Sequence, residues 1–314
     1  HRYVMDYLVD EVLQGQPAEV QTFLLRSSVL HRLSAPLCNA VLGEAGPGDT
    51  RSILAYLDAA NLFITPLDDR RVWYRYHGLF ADLLQKQLRD TAPESITGLH
   101  SRASRWYEEQ GLLAESIEHS LAATTFEHAA TLIERVAESL MVQSEFTTLR
   151  TWLDALPDLV LNEHPRLRAY HAWLSLLAGE PLRAVESRLA PSAVPGEPEP
   201  GEIKAARALI TISRGELEGV HELAGAALAS LTADDGVWFG IAQWLRDVLS
   251  VPEVGPARDD ATAHQILIDT HRGGRNALLT VMGLCSLGEL RVKEGKLREA
   301  ERLFRRALDQ ATDP

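Results

Sequence analysis

Val72-Trp73-Tyr74-Arg75-Tyr76-His77-Gly78-Leu79-Phe80-Ala81-Asp82-Leu83-Leu84 decides the fold, because an aromatic and β-branched run turns here straight into a helical pattern, with His77 at the joint. Just upstream, Leu62 to Leu67 has the same strand-like character, and Asp68-Asp69-Arg70 lies between the two runs as a turn. The pattern predicts a β-hairpin feeding a helix.

Working outward to the N-terminus, the periodicity is helical. Tyr3, Val4, Tyr7, Leu8 and Val12 are spaced on one helix face, and Gly15 stops the run. Pro17 pre-sets the first turn of a second helix from Ala18. Ser34 is placed to cap a third that ends at Leu42-Gly43, and Asp49 or Thr50 a fourth carrying Ile53, Leu54 and Leu57. Short helices, a hairpin and a closing helix describe a winged-helix unit, expected over residues 1–92. Between the third and fourth helices, Gly43 to Thr50 has the glycine spacing of a phosphate loop. Asp49 stands where the lysine should be and a helix precedes it where that motif needs a strand, so it reads as an ordinary loop.

Beyond the joint, strand signals vanish and small residues recur. From Gly288 through Gly295, Ala300, Phe304 and Ala307 the steps are seven, five, four and three; Ala208, Gly215, Val220, Ala224 and Ala227 follow the same steps, as do Ser104, Gly111, Ser116, Ser120 and Ala123. Such steps let two antiparallel helices cross closely with a glycine in the turn. A weaker copy runs through Ala172, Gly179 and Ala184, and Gly111 and Gly179 lie 68 residues apart, twice the ~34-residue period of tetratricopeptide repeats. Residues 93–314 are therefore expected to be a tetratricopeptide-like α-superhelix, interrupted by Pro-rich loops at Pro191 to Gly201 and Pro252 to Pro256. The fold class is mainly α.

A superhelix of this kind has an extended concave face. Trp173, Trp238 and Trp244 are the effector-groove candidates, since an indole can stack on a flat ligand and donate its N–H; packing between repeats is the alternative use. No catalytic residue is assigned. His164 and His171, and His264 and His271, are each seven apart, but no third ligand completes either pair, so no metal site is assigned.

Bulk composition narrows the function classes. The 31 basic and 44 acidic residues give a net charge of −13, which disfavours direct nucleic-acid contact by this chain. Two distant cysteines, Cys38 and Cys285, suit a reducing cytoplasm. No apolar run nears the ~18 residues of a membrane span. The start, His1-Arg2-Tyr3-Val4-Met5-Asp6, is already helical in pattern and has no initiator Met, so a piece of a longer protein is expected.

Specific motifs then carry a resemblance. Leu62 to Asp69, Trp73 to Leu84, Leu99 to Leu112 with Ala114 to Ala122, and Leu149 to Pro157 resemble the MalT-like large ATP-binding regulators of the LuxR family. The resemblance implies the winged-helix and sensor portion of a regulator whose N-terminal ATPase and C-terminal helix-turn-helix domains lie elsewhere. It implies ATP or ADP as cofactor of the intact parent and none for this portion, and a small-molecule inducer or a regulatory protein as partner. The joint also resembles the Met-His-Asp signature of related switch ATPases, which implies His77 as a contact to nucleotide phosphate; Tyr76 and Gly78 stand where Met and Asp would be. Read without the resemblance, His77 is a cap or packing residue at a helix start. The rival function is a tetratricopeptide-type protein scaffold with no nucleotide link; an enzyme is not expected.

Overall fold

The computed structural model describes residues 13–43, 46, 49–189, 198–214, 216–232, 235–250, 284–285, 288, 291–292 and 295–312. The helix expected over Tyr3 to Val12, the Pro252 to Pro256 break, most of the Pro191 to Gly201 break, Gly215, His264 and His271 lie outside the described residues. The chain divides into two compact units, His1–Leu132 and Ile133–Pro314.

In the first unit, α1 (Ala18–Ser27) follows Pro17, and α2 (Ala35–Leu42) starts at Ser34, whose hydroxyl accepts from Leu37 N. Helix α3 (Thr50–Ala59) is capped by Asp49, which accepts from Ser52 N at 3.2 Å. The glycine loop thus sits between two helices, and its aspartate is spent on a cap. Cys38 is fully buried in α2, and burial pushes its thiol up to about 12, as fits a small interior hydrophobe.

The hairpin is β1 (Ile64–Pro66) and β2 (Tyr74–Tyr76), antiparallel with Ile64 opposite Tyr76 and Pro66 opposite Tyr74. It is shorter than the sequence runs. Phe63 and Arg71 take positive φ (54° and 52°), which ends the extended backbone on either side. Asp68 closes the turn by accepting from Val72 N at 3.2 Å and Trp73 N at 2.8 Å. On its other edge Tyr74 exchanges backbone hydrogen bonds with Leu33, at 2.7 and 2.9 Å, so the segment before α2 completes the wing. Helix α4 (Gly78–Thr91) leaves the hairpin directly and packs on α1. Phe23, Leu24, Leu33, Leu37, Leu57, Phe80 and Leu84 form the interior. Burying each such side chain contributes ~1.5–3 kcal/mol.

Helices α5 (Pro93–Glu109) and α6 (Leu113–Ala122) form the first helical hairpin and remain in the first unit, with α5 packed on α2 and α4. Gly111 turns it at φ 73°. Ser104 Oγ meets Ser116 Oγ at 3.0 Å and Ser120 Oγ at 2.7 Å, so the small residues expected at the crossing are there, buried and mutually hydrogen-bonded. Helix α7 (Phe126–Val142) follows.

The second unit continues the hairpins with α8 (Phe146–Asp154), α9 (Asp158–Glu163), α10 (Pro165–Leu177), α11 (Leu182–Arg188), α12 (Gly201–Arg214), α13 (Leu217–Leu228), α14 (Gly236–Ser250) and α15 (Leu297–Thr312). Gly179 and Gly295 turn at φ 74° and 77°, matching Gly111. Ala208, Val220, Ala224, Ala227, Ala300 and Ala307 are buried as their spacing requires. At Gly288 a Cβ would come within 2.6 Å of the Phe304 ring, which is why a glycine stands there. No described helix is long and apolar enough to cross a membrane.

Candidate functional site

His77 is held by its backbone, and among the described residues its side chain makes no cap hydrogen bond. Its N–H donates to Phe63 O at 2.7 Å, and its carbonyl accepts from Phe80 N and Ala81 N, both at 2.9 Å, which opens α4. It occupies the N-cap position with φ −62° and ψ 134°, yet its imidazole makes no cap hydrogen bond. The residue is exposed, and beside it a Cβ built on Gly78 would meet nothing within 4 Å. An imidazole beside the positive end of a 14-residue helix has the chemistry to donate to an anionic oxygen. This is one contact and not a pocket: the Gly43 to Thr50 loop carries no lysine, and its Asp49 is turned to Ser52.

Behind His77 the wing is anchored firmly. Tyr76 is buried, its hydroxyl 2.7 Å from Ser27 Oγ and its ring edge-on to Phe80 at 6.0 Å. Burial drives its phenol far above the ordinary range. The position that departs from the switch-ATPase signature is therefore a core residue.

A second constellation, which the sequence did not disclose, joins the wing to the first hairpin. Arg32 lies over the Trp73 ring at 4.7 Å and 6.0 Å from the Tyr107 ring, while its guanidinium reaches Glu115 at 2.5 Å. Trp73 also meets Trp106 edge-on at 6.4 Å. Next to this, His119 stacks on Tyr107 (5.4 Å, 15°) and its Nδ1 lies 2.8 Å from His100 Nδ1, with His31 6.4 Å from it. Burial lowers the His119 pKa to about 3, and the His100 pKa is lowered by burial and by His31. A partial signal was present: the antiparallel register that pairs Ser104 with Ser116 and Ser120 also brings His100, one turn earlier, to His119. Nothing in the sequence pointed His31 or Arg32 at them.

In the second unit the three indoles named as groove candidates are interior. Trp173, Trp238 and Trp244 are 1%, 0% and 3% exposed, and Trp238 packs against Tyr170 at 5.1 Å and Trp173 at 5.5 Å. A buried face cannot stack on an arriving ligand, so this placement corrects the groove assignment and makes them packing residues between hairpins. Their Nε1 donors have no hydrogen-bond acceptor. The histidines of the paired spacing go separate ways, His171 to Asp154 at 2.8 Å and His164 to Glu134 at 3.0 Å. Among the described residues no group of three or more His, Cys, Asp or Glu could hold a metal ion.

The class of the wing follows from comparison with known families. Residues 9–96 match the MalT winged helix domain, and that part of the chain belongs to it. Beyond it, similarity to MalT regulators extends over much of the chain. It is 32% identical over 234 residues to the HTH-type transcriptional regulator MalT of Cronobacter sakazakii, covering 73% of this chain and 26% of the relative. It is 36% identical over 173 residues to MalT of Serratia proteamaculans, covering 55% of this chain and 19% of the relative. It is also 33% identical over 181 residues to the serine/threonine-protein kinase PknK of Mycobacterium tuberculosis (strain ATCC 25618 / H37Rv), covering 58% and 16%. The chain thus spans between about a sixth and a quarter of the length of these relatives. Similarity to the MalT regulators supports a regulatory role.

Proposed function

We propose that this chain is the sensing and relay portion of a larger cytoplasmic switch protein. Its tetratricopeptide-like hairpins take up a small-molecule inducer or a regulatory protein, and His77 passes that state to a nucleotide-binding module by touching the phosphates of bound ADP or ATP. The observation that carries the reading is His77 itself: an exposed imidazole that makes no cap hydrogen bond among the described residues, fixed by its backbone at a helix start whose dipole favours anions. The portion contributes no catalytic residue and, at a net charge of −13, no direct nucleic-acid contact.

Two kinds of relative support a transferable regulatory portion, one named as a kinase and the others as helix-turn-helix regulators. The test is nucleotide exchange in a longer protein that carries this chain together with a nucleotide module. His77→Ala is expected to change the rate of ADP release, and an unchanged rate contradicts the relay.

A further inference from the structure

The His31–Arg32 segment between α1 and α2 is one place where the winged helix grips the first helical hairpin, beside the packing of α5 on α2 and α4. Arg32 is engaged by Glu115 and stacked on Trp73, and His31 faces the His100–His119 pair. A contact between two Nδ1 atoms requires one ring to donate and the other to accept, so the neutral pair satisfies itself only with opposite tautomers. A first proton keeps this bond if it lands on the donor ring's Nε2. A second leaves hydrogen on both Nδ1 atoms and breaks it.

The surroundings oppose even the first proton. His119 is 4% exposed, and the charges acting on the pair are its own two rings and His31, all of which become positive on protonation. Among the described residues neither ring meets a carboxylate. Glu115 of α6 is occupied by Arg32; Glu108 of α5 is bridged to His128 of α7 at 3.3 Å; and Arg102 of α5 donates to Val41 O of α2. On the α2 side, Cys38 is neutral because burial raises its thiol.

We propose that the His100–His119 pair, with His31 against it, is an acid-release latch: it holds the His31–Arg32 segment of the winged helix on the α5–α6 hairpin at neutral pH and frees it as the medium acidifies. Both histidines have depressed pKa values in the folded unit, so the unfolded or opened form binds more protons. Closure is complete above the ordinary histidine value of about 6.5 and weakens as pH falls below it. At pH ~5.5 His119 alone multiplies the opening equilibrium about tenfold, and His100 adds to that.

Hydrogen exchange on the whole chain tests this, comparing residues 28–34 and 93–122 with the histidine-free helix α12 at pH ~7.5 and ~5.5, corrected for intrinsic exchange rates. The expected result is at least about a tenfold loss of protection at the lower pH in the latch segments and none in α12. In His119→Phe, which keeps a ring on Tyr107, that pH response should shrink to the smaller part that His100 carries. A uniform loss, no loss, or the same response in His119→Phe overturns the proposal. Should the variant not fold, NMR titration of the wild-type imidazoles decides: His119 is expected to stay neutral down to pH ~5, and a midpoint near the ordinary value of about 6.5 overturns the latch.

Discussion

Ser27 Oγ and the Tyr76 hydroxyl meet at 2.7 Å inside the winged-helix core, tying the end of α1 to the strand that delivers His77. Ser27 also donates to Phe23 O, so its one hydrogen is already placed and the tyrosine is the donor to the serine oxygen. Tyr76→Phe keeps the ring against Phe80 and loses only that bond. It is expected to destabilise the chain by ~0.5–1.5 kcal/mol in urea unfolding. His77→Ala removes an exposed side chain that makes no cap hydrogen bond among the described residues and is expected to stay within ~0.5 kcal/mol of wild type.

Arg32 carries more than its surface ion pair suggests. Its side chain and that of Glu115 are each about one-third exposed, which limits the bridge to ~1 kcal/mol or less. Stacking on Trp73 adds ~0.5–2 kcal/mol. Arg32→Ala is therefore expected to cost ~1–3 kcal/mol, and Glu115→Gln less than ~1 kcal/mol, in thermal unfolding monitored by tryptophan fluorescence. Equal losses would mean the stack contributes nothing.

Gly111→Ala isolates a backbone effect. The residue sits at φ 73° and an added Cβ meets nothing within 4 Å, so the cost is that of a left-handed alanine, ~1–2 kcal/mol, with no change in packing. Calorimetry should show the loss without any change in the near-ultraviolet circular dichroism of the aromatic residues.

Trp173 separates volume from hydrogen bonding. Its Nε1 has no acceptor while its ring is buried against Trp238. Trp173→Phe gives up part of the ring but also an unsatisfied donor and is expected to cost much less than the ~3–5 kcal/mol of Trp173→Ala. Acrylamide should quench the indoles at 173, 238 and 244 poorly, because all three are buried.

Local chemistry made much of this legible in advance. Ser34 and Asp49 announced their caps, Asp68 its turn, and the repeated small residues their crossings, because each acts on backbone within a few residues or through a fixed helical step. The strands are shorter than their aromatic and β-branched runs because composition does not report the positive φ of Phe63 and Arg71. The use of the indoles stays open in the sequence for a related reason: a tryptophan in a helical repeat has the same spacing whether its face turns to a groove or to the next hairpin. The His31–His100–His119 and Arg32–Trp73–Glu115 groups join positions far apart in the chain, and only the packed unit brings them together.

ADP release from a longer protein that contains both this chain and its nucleotide module, measured with His77→Ala beside Tyr76→Phe, reads the contact of His77 with the nucleotide. His77→Ala should alter the release rate at unchanged stability, and Tyr76→Phe should lose stability. Wild-type ADP release from His77→Ala would contradict that contact.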